Sequence, residues 1–69
     1  MQMQIITATA KPFRTEPRGE YQFAVEADGT VRVWDSVAHH YTLRHSLSPR
    51  AASRIARMAR ATEPTEPSA

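Results

Sequence analysis

The stretch Glu20–Asp35, EYQFAVEADGTVRVWD, decides the fold: two alternating, β-rich runs flank an Asp-Gly turn, the clearest hairpin signal in the chain. Two registers are open to it. A two-residue Asp28-Gly29 loop places Phe23 opposite Trp34 and Val25 opposite Arg32, leaving Val31 and Val33 on the other face. A three-residue loop, Ala27-Asp28-Gly29 with the glycine left-handed in a bulge, instead pairs Val25 with Val31, Phe23 with Val33 and Tyr21 with Asp35. A one-residue slip carries every side chain across the sheet, so the register that unites the apolar set is the expected one. It gathers Phe23, Val25, Val31 and Val33 on one face and turns Gln22, Ala24, Arg32 and Trp34 to the other.

Working outward, MQIITATA (Met3 to Ala10) has the β-branched content of a strand, and KPFRTEPRG, with two prolines and a glycine, reads as a loop. Beyond the hairpin, DSVAHH turns the chain and HYTLRHS alternates again. That alternation predicts a further strand with Tyr41 and Leu43 on one face and His40, Thr42 and Arg44 on the other. SLSPRAASRIARMARA supplies the helix: Ser48 is the N-cap, Pro49 fits the first helical position and the alanines favour propagation. At about 100° per residue, Ala51, Ala52, Ile55, Ala56, Met58 and Ala59 occupy one arc, and Arg50, Arg54, Arg57 and Arg60 the opposite one. The final TEPTEPSA has nothing to bury and is expected to be disordered. The expected fold class is α+β, a three- to four-stranded antiparallel β-meander with one C-terminal helix packed on one face. Residues 1–61 would form a single small domain and 62–69 its tail.

A chain of 69 residues is near the lower limit at which one core supports itself. Ordering it costs roughly 1–2 kcal/mol of backbone entropy per residue, and each large apolar side chain returns only about 1.5–3 kcal/mol on burial. The candidates are few: Ile5, Ile6, Phe23, Val25, Val31, Val33, Val37, Tyr41, Leu43, Leu47, Ile55 and Met58. Such a set suits a marginal monomer or a comfortable homodimer. There is no cysteine, hence no disulfide or thiolate metal site, and the chain is compatible with a reducing compartment. Its first residues lack the pattern of a secretory signal and no run approaches membrane-spanning length, so a cytoplasmic, non-membrane protein is expected.

The net charge of +2 conceals an uneven distribution. Residues 1–35 carry four basic and five acidic side chains, 36–61 carry five arginines and no acid, and the tail carries Glu63 and Glu66. Asymmetry of this kind argues about partners rather than fold, and it points to nucleic acid or an acidic protein surface. On the sheet, Arg32, Trp34, His40, Thr42 and Arg44 would share the open face, where guanidinium and indole groups neutralise phosphate and stack on bases. On the helix, Arg50, Arg54 and Arg57 would contact further phosphates. The expected nucleic-acid-binding residues are therefore Arg32, Trp34, Arg44, Arg50, Arg54 and Arg57. The structural alternatives are a Trp34 that buries its ring under the N-terminal strand or in a dimer interface, and a solvated arginine face whose last members suit the helix dipole.

Catalysis is not expected. Asp35, Ser36 and His40 do not form a triad with a nucleophile motif around the serine, and with only Gly19 and Gly29 there is no glycine-rich phosphate loop. Nor is a metal: His39 and His45 on one strand would stand about 20 Å apart, and no cysteine or carboxylate pair completes a site. No cofactor is implied.

Three resemblances bear on this reading. DGTVRVWD, Asp28 to Asp35, resembles the inner hairpin of a WD-repeat blade. A propeller needs at least four blades of about 40–45 residues, so the likeness is attributed to hairpin physics and no propeller role is carried over. In layout the expected domain resembles the sheet-plus-helix domains of plant ethylene-response factors and of integrase arm-binding regions, which read DNA with the sheet. Finally, DGTVRVWDSVA followed by HYT, HSL and an Arg-rich helix resembles short uncharacterised bacterial proteins over residues 21–60. That resemblance implies a plasmid or phage setting and brings no activity or site residues.

Overall fold

The computed structural model describes residues 3–62, which form a four-stranded antiparallel sheet and one helix packed on it. The strands are β1 (Gln4–Ala10), β2 (Gly19–Val25), β3 (Val31–Asp35) and β4 (His40–Thr42), in spatial order β1-β2-β3-β4, and the helix is α1 (Pro49–Thr62). The predicted α+β meander is thus the observed fold, with the N-terminal strand paired along its whole length to β2. The proposed tail lies outside the described residues, save Thr62, which ends α1.

The central hairpin adopts the register that unites the apolar residues. Val25 pairs with Val31 and Phe23 with Val33, while Ala24 faces Arg32. The loop closes as expected: the Glu26 N–H donates to the Thr30 carbonyl and the Gly29 N–H to the Glu26 carbonyl, both at 2.9 Å. Gly29 sits at φ 95°, where a side chain would be strained. Asp28 accepts the Thr30 N–H on Oδ1 at 2.9 Å, and the bonds from Thr30 hold its carboxyl below the usual range.

The helix-side face carries Phe23, Val33 and Ile55, all fully buried, with Ala8, Ala10, Val25, Val31 and Ala59 around them. Helix α1 packs against β1, β2 and β3, and its small alanines let it lie close. Ser48 caps it, Oγ accepting the Ala51 N–H at 3.1 Å. Two loops complete the cover. Pro12 is buried, and its carbonyl accepts both the N–H (2.7 Å) and the hydroxyl (3.1 Å) of Ser46, tying loop 11–18 to segment 43–48.

Four expected core residues lie at the surface: Ile5, Val37, Leu43 and Met58 are exposed, Val37 to 90%. Ala8, Ala10, Ala59 and Pro12 are buried instead, while Ile5 falls on the open face with Ala24 and Val37 lies in the turn between β3 and β4.

Strand β4 keeps the alternation read in the sequence over His40–Thr42 but presents it the other way round, with Thr42 rather than Tyr41 toward the core. It ends at Thr42, and Val33 pairs with Thr42, Trp34 with Tyr41 and Asp35 with His40. Thr42 is therefore buried on the helix side with Val33, and Tyr41 stands on the open face beside Trp34. The turn sets this parity. Asp35 Oδ1 accepts the N–H groups of Val37 (2.9 Å) and Ala38 (3.2 Å), the Asp35 carbonyl accepts the His39 N–H at 2.7 Å, and His39 leaves at φ 58°. This single helical turn, closed by a left-handed residue, begins β4 at His40.

Candidate nucleic-acid interface

The six residues expected to bind nucleic acid fall in three places. Arg32 and Trp34 project from β3 on the open face of the sheet, which is the face opposite α1. Arg32 is half-exposed and its Nε donates to Glu26 Oε2 at 2.6 Å, an ion pair across the hairpin end. Trp34 is half-buried, meeting Tyr41 edge-on at a ring separation of 5.0 Å and His39 at 6.5 Å. Its ring therefore packs on β4 and the turn, and the N-terminal strand does not cover it. The row continues through the Tyr41 hydroxyl to Gln22 Oε1 at 3.5 Å.

Arg44 is not on that face. The strand has ended two residues earlier, its N–H is turned back onto Thr42 Oγ1 at 3.0 Å, and the side chain lines a shallow depression with Pro12, Phe13 and Arg14. His40 and Thr42 leave the expected open-face set for the same reason, since the register turns them to the side of Val33.

The helix arginines divide further. Arg50, Arg54, Arg57 and Arg60 are all exposed. Arg54 reaches over the edge of the sheet, its Nη2 donating to the Thr9 carbonyl of β1 at 2.9 Å. Arg57 and Arg60 lean the other way and flank a cleft of 570 Å³ between α1 and the start of β3, floored by Gly29, Val31, Leu43, Ala52 and Ala56. His45 closes one wall. Its Nδ1 accepts the Leu47 N–H at 3.3 Å, so its Nε2 carries the proton and donates to the Val31 carbonyl at 3.1 Å.

Sequence reading singled out neither His45 as a wall nor Tyr41 as the partner of Trp34, and it omitted Arg60 from the site. Arg60 was legible from its position on the arginine arc. His45 was not, because its role depends on the path of segment 43–48. The described residues contain no group of three His, Asp or Glu side chains placed to hold a metal ion, and no described helix is long and apolar enough to cross a membrane. Comparison with protein families, curated proteins and solved structures finds no match.

Proposed function

We propose that this protein is a small nucleic-acid-binding protein that grips phosphates with the exposed face of α1, and that it acts as a homodimer. One observation carries the reading. Arg50, Arg57 and Arg60 stand exposed on one side of the molecule, and the only ion pair among the described residues engages Arg32 elsewhere. No acid occurs between Ser36 and Thr62 to neutralise them. Polyanion binding rests on cations that, like these, have no ion pair among the described residues, each phosphate contact releasing counterions and steepening the salt dependence. Arg32 and Trp34, across the sheet, do not share that surface, and Arg54 is partly committed to β1.

A second reading, a protein-interaction or inhibitory module, is favoured by the open face itself. The Trp34–Tyr41 pair there, with Gln22 beside it and Glu16, Glu20 and Asp35 lining the depression around Trp34, offers an aromatic anchor with an acidic rim.

Fluorescence anisotropy on random duplex and single-stranded DNA, across a salt series, tests the first reading. The expected result is micromolar or tighter binding at low salt, with the duplex slope falling by about two when Arg57 and Arg60 are both replaced by alanine. Absence of binding at low salt would sink it. A protein complex lost with Trp34→Ala would then establish the second.

A further inference from the structure

The two edges of the sheet are protected very differently. Edge strands expose unpaired backbone groups, and proteins blunt them by shortening the strand or by placing charge, proline or a bulge on it. Strand β4 is only three residues long. Strand β1 has seven residues, pairs with β2 at every position without a bulge, and carries no charged residue and no proline. Lys11 and Pro12 come only after it ends.

Arg54 reveals which backbone groups of β1 are open. It bonds the Thr9 carbonyl from outside the sheet, so Thr9 directs its backbone groups away from β2. In an antiparallel ladder alternate residues point the same way, which turns the N–H and carbonyl of Ile5 and Thr7 outward as well. Arg54 thus satisfies the end of this edge, and among the described residues nothing bonds to the outward backbone groups of its first half. That half is also apolar: Met3 is 51% exposed and Ile5 47%.

We infer that β1 is the seam of a symmetric homodimer, in which Ile5 pairs with Ile5 of a second copy and Met3 with its Thr7, joining two sheets into one of eight strands. The second copy is the occupant because the segment is self-complementary. Any charge near a two-fold axis meets its own copy, and in a chain of net charge +2 the residues Met3 to Ala10 are neutral. The register follows from Arg54. Pairing centred on Thr7 would need the Thr9 carbonyl, which Arg54 already holds, whereas pairing centred on Ile5 leaves it alone. Roughly six backbone hydrogen bonds form in this register, and the Met3 and Ile5 side chains of both copies close into one apolar strip on the open face. The two-fold axis runs perpendicular to the sheet, so both α1 helices lie on the same side. The seam does not depend on nucleic-acid binding.

Sedimentation velocity on the full chain, from micromolar to millimolar protein, tests the seam. The wild type is expected to shift from monomer to dimer across that range. Ile5→Lys places like charges across the axis and is expected to weaken dimerisation at least tenfold. Ile5→Pro removes an N–H that no bond among the described residues uses, so it is expected to do the same with the far-ultraviolet circular dichroism unchanged. Cysteine cross-linking reads the register, since the chain has no cysteine of its own. Ile5→Cys is expected to give a covalent dimer on oxidation with diamide, its Cα atoms about 5.5 Å apart, whereas Thr7→Cys, facing Met3 of the other copy, stays monomeric under reducing-free electrophoresis. A wild type that remains monomeric at millimolar concentration would overturn the seam, as would a dimer that Ile5→Lys leaves intact. Preferential cross-linking through Thr7→Cys would overturn the register. A dimer that forms without any effect on DNA affinity would leave the seam standing.

Discussion

The open face of the sheet and the arginine face of α1 both carry basic and apolar side chains, yet they are built in opposite ways. On the open face the cation is already engaged, Arg32 with Glu26, and the large aromatic is already packed, Trp34 against Tyr41 and His39. On the helix, Arg50, Arg57 and Arg60 project from a scaffold whose opposite side is anchored by the fully buried Ile55. Residue type alone did not separate these cases. A basic side chain is open to a partner when the element that carries it is held from behind and no acid is opposite, and among the described residues only the helix meets both conditions.

The largest expected difference between the two faces is in stability. Ile55→Ala removes a side chain that joins α1 to the sheet and leaves a cavity, at a cost of about 2–5 kcal/mol. Trp34→Ala, at a half-buried ring held by edge-on contacts, is expected to cost clearly less, on the order of 1–2 kcal/mol. Urea unfolding followed by circular dichroism measures both. Equal losses would break the comparison, because the open face would then be a second core rather than a surface.

Glu26→Gln sharpens it by freeing Arg32. Loss of a half-exposed ion pair is expected to change stability by no more than about 1 kcal/mol. With α1 on the other side of the sheet, DNA affinity and its salt slope are expected to stay as they are. A slope steeper by about one would bring Arg32 into the interface and move the binding surface around the sheet edge.

How far the sequence revealed these faces depended on how strongly each position was constrained. The β2–β3 register was legible because Phe23, Val25, Val31 and Val33 unite in only one of two pairings, and Gly29 supplies the left-handed turn that pairing needs. The helix was legible from Ser48, Pro49 and the arginine spacing. Strand β4 was misread because its alternation was taken to report burial. Helix α1 packs chiefly on β1, β2 and β3, and the helix-side position of β4 is closed by the small, polar Thr42 rather than by a large apolar side chain. The Asp35–His39 turn then fixes parity, placing the small Thr42 inside and Tyr41 beside Trp34. Nothing in DSVAHH marks His39 as a non-glycine residue at positive φ. The Arg54 bond to Thr9 was equally hidden, since it joins residues 45 positions apart through a contact that exists only once the helix has docked.

The smallest expected effect belongs to the hairpin that supports the open face. Asp28 has a carboxyl held below its usual range by the backbone and side-chain bonds from Thr30. A group whose folded value is depressed contributes stability above its unfolded value, near 3.8, and loses that contribution as pH falls through the lower folded value. The wild type is therefore expected to lose a small part of its hairpin stability below about pH 4 that Asp28→Asn does not lose there. Comparing the two proteins in urea at pH 7 and again near pH 2.5 isolates the effect from the titration of the other carboxylates, which both share. If the difference between them were the same at the two pH values, Asp28 would hold the turn by shape alone, and the charge on its carboxylate would add nothing to the hairpin that aims Arg32 and Trp34.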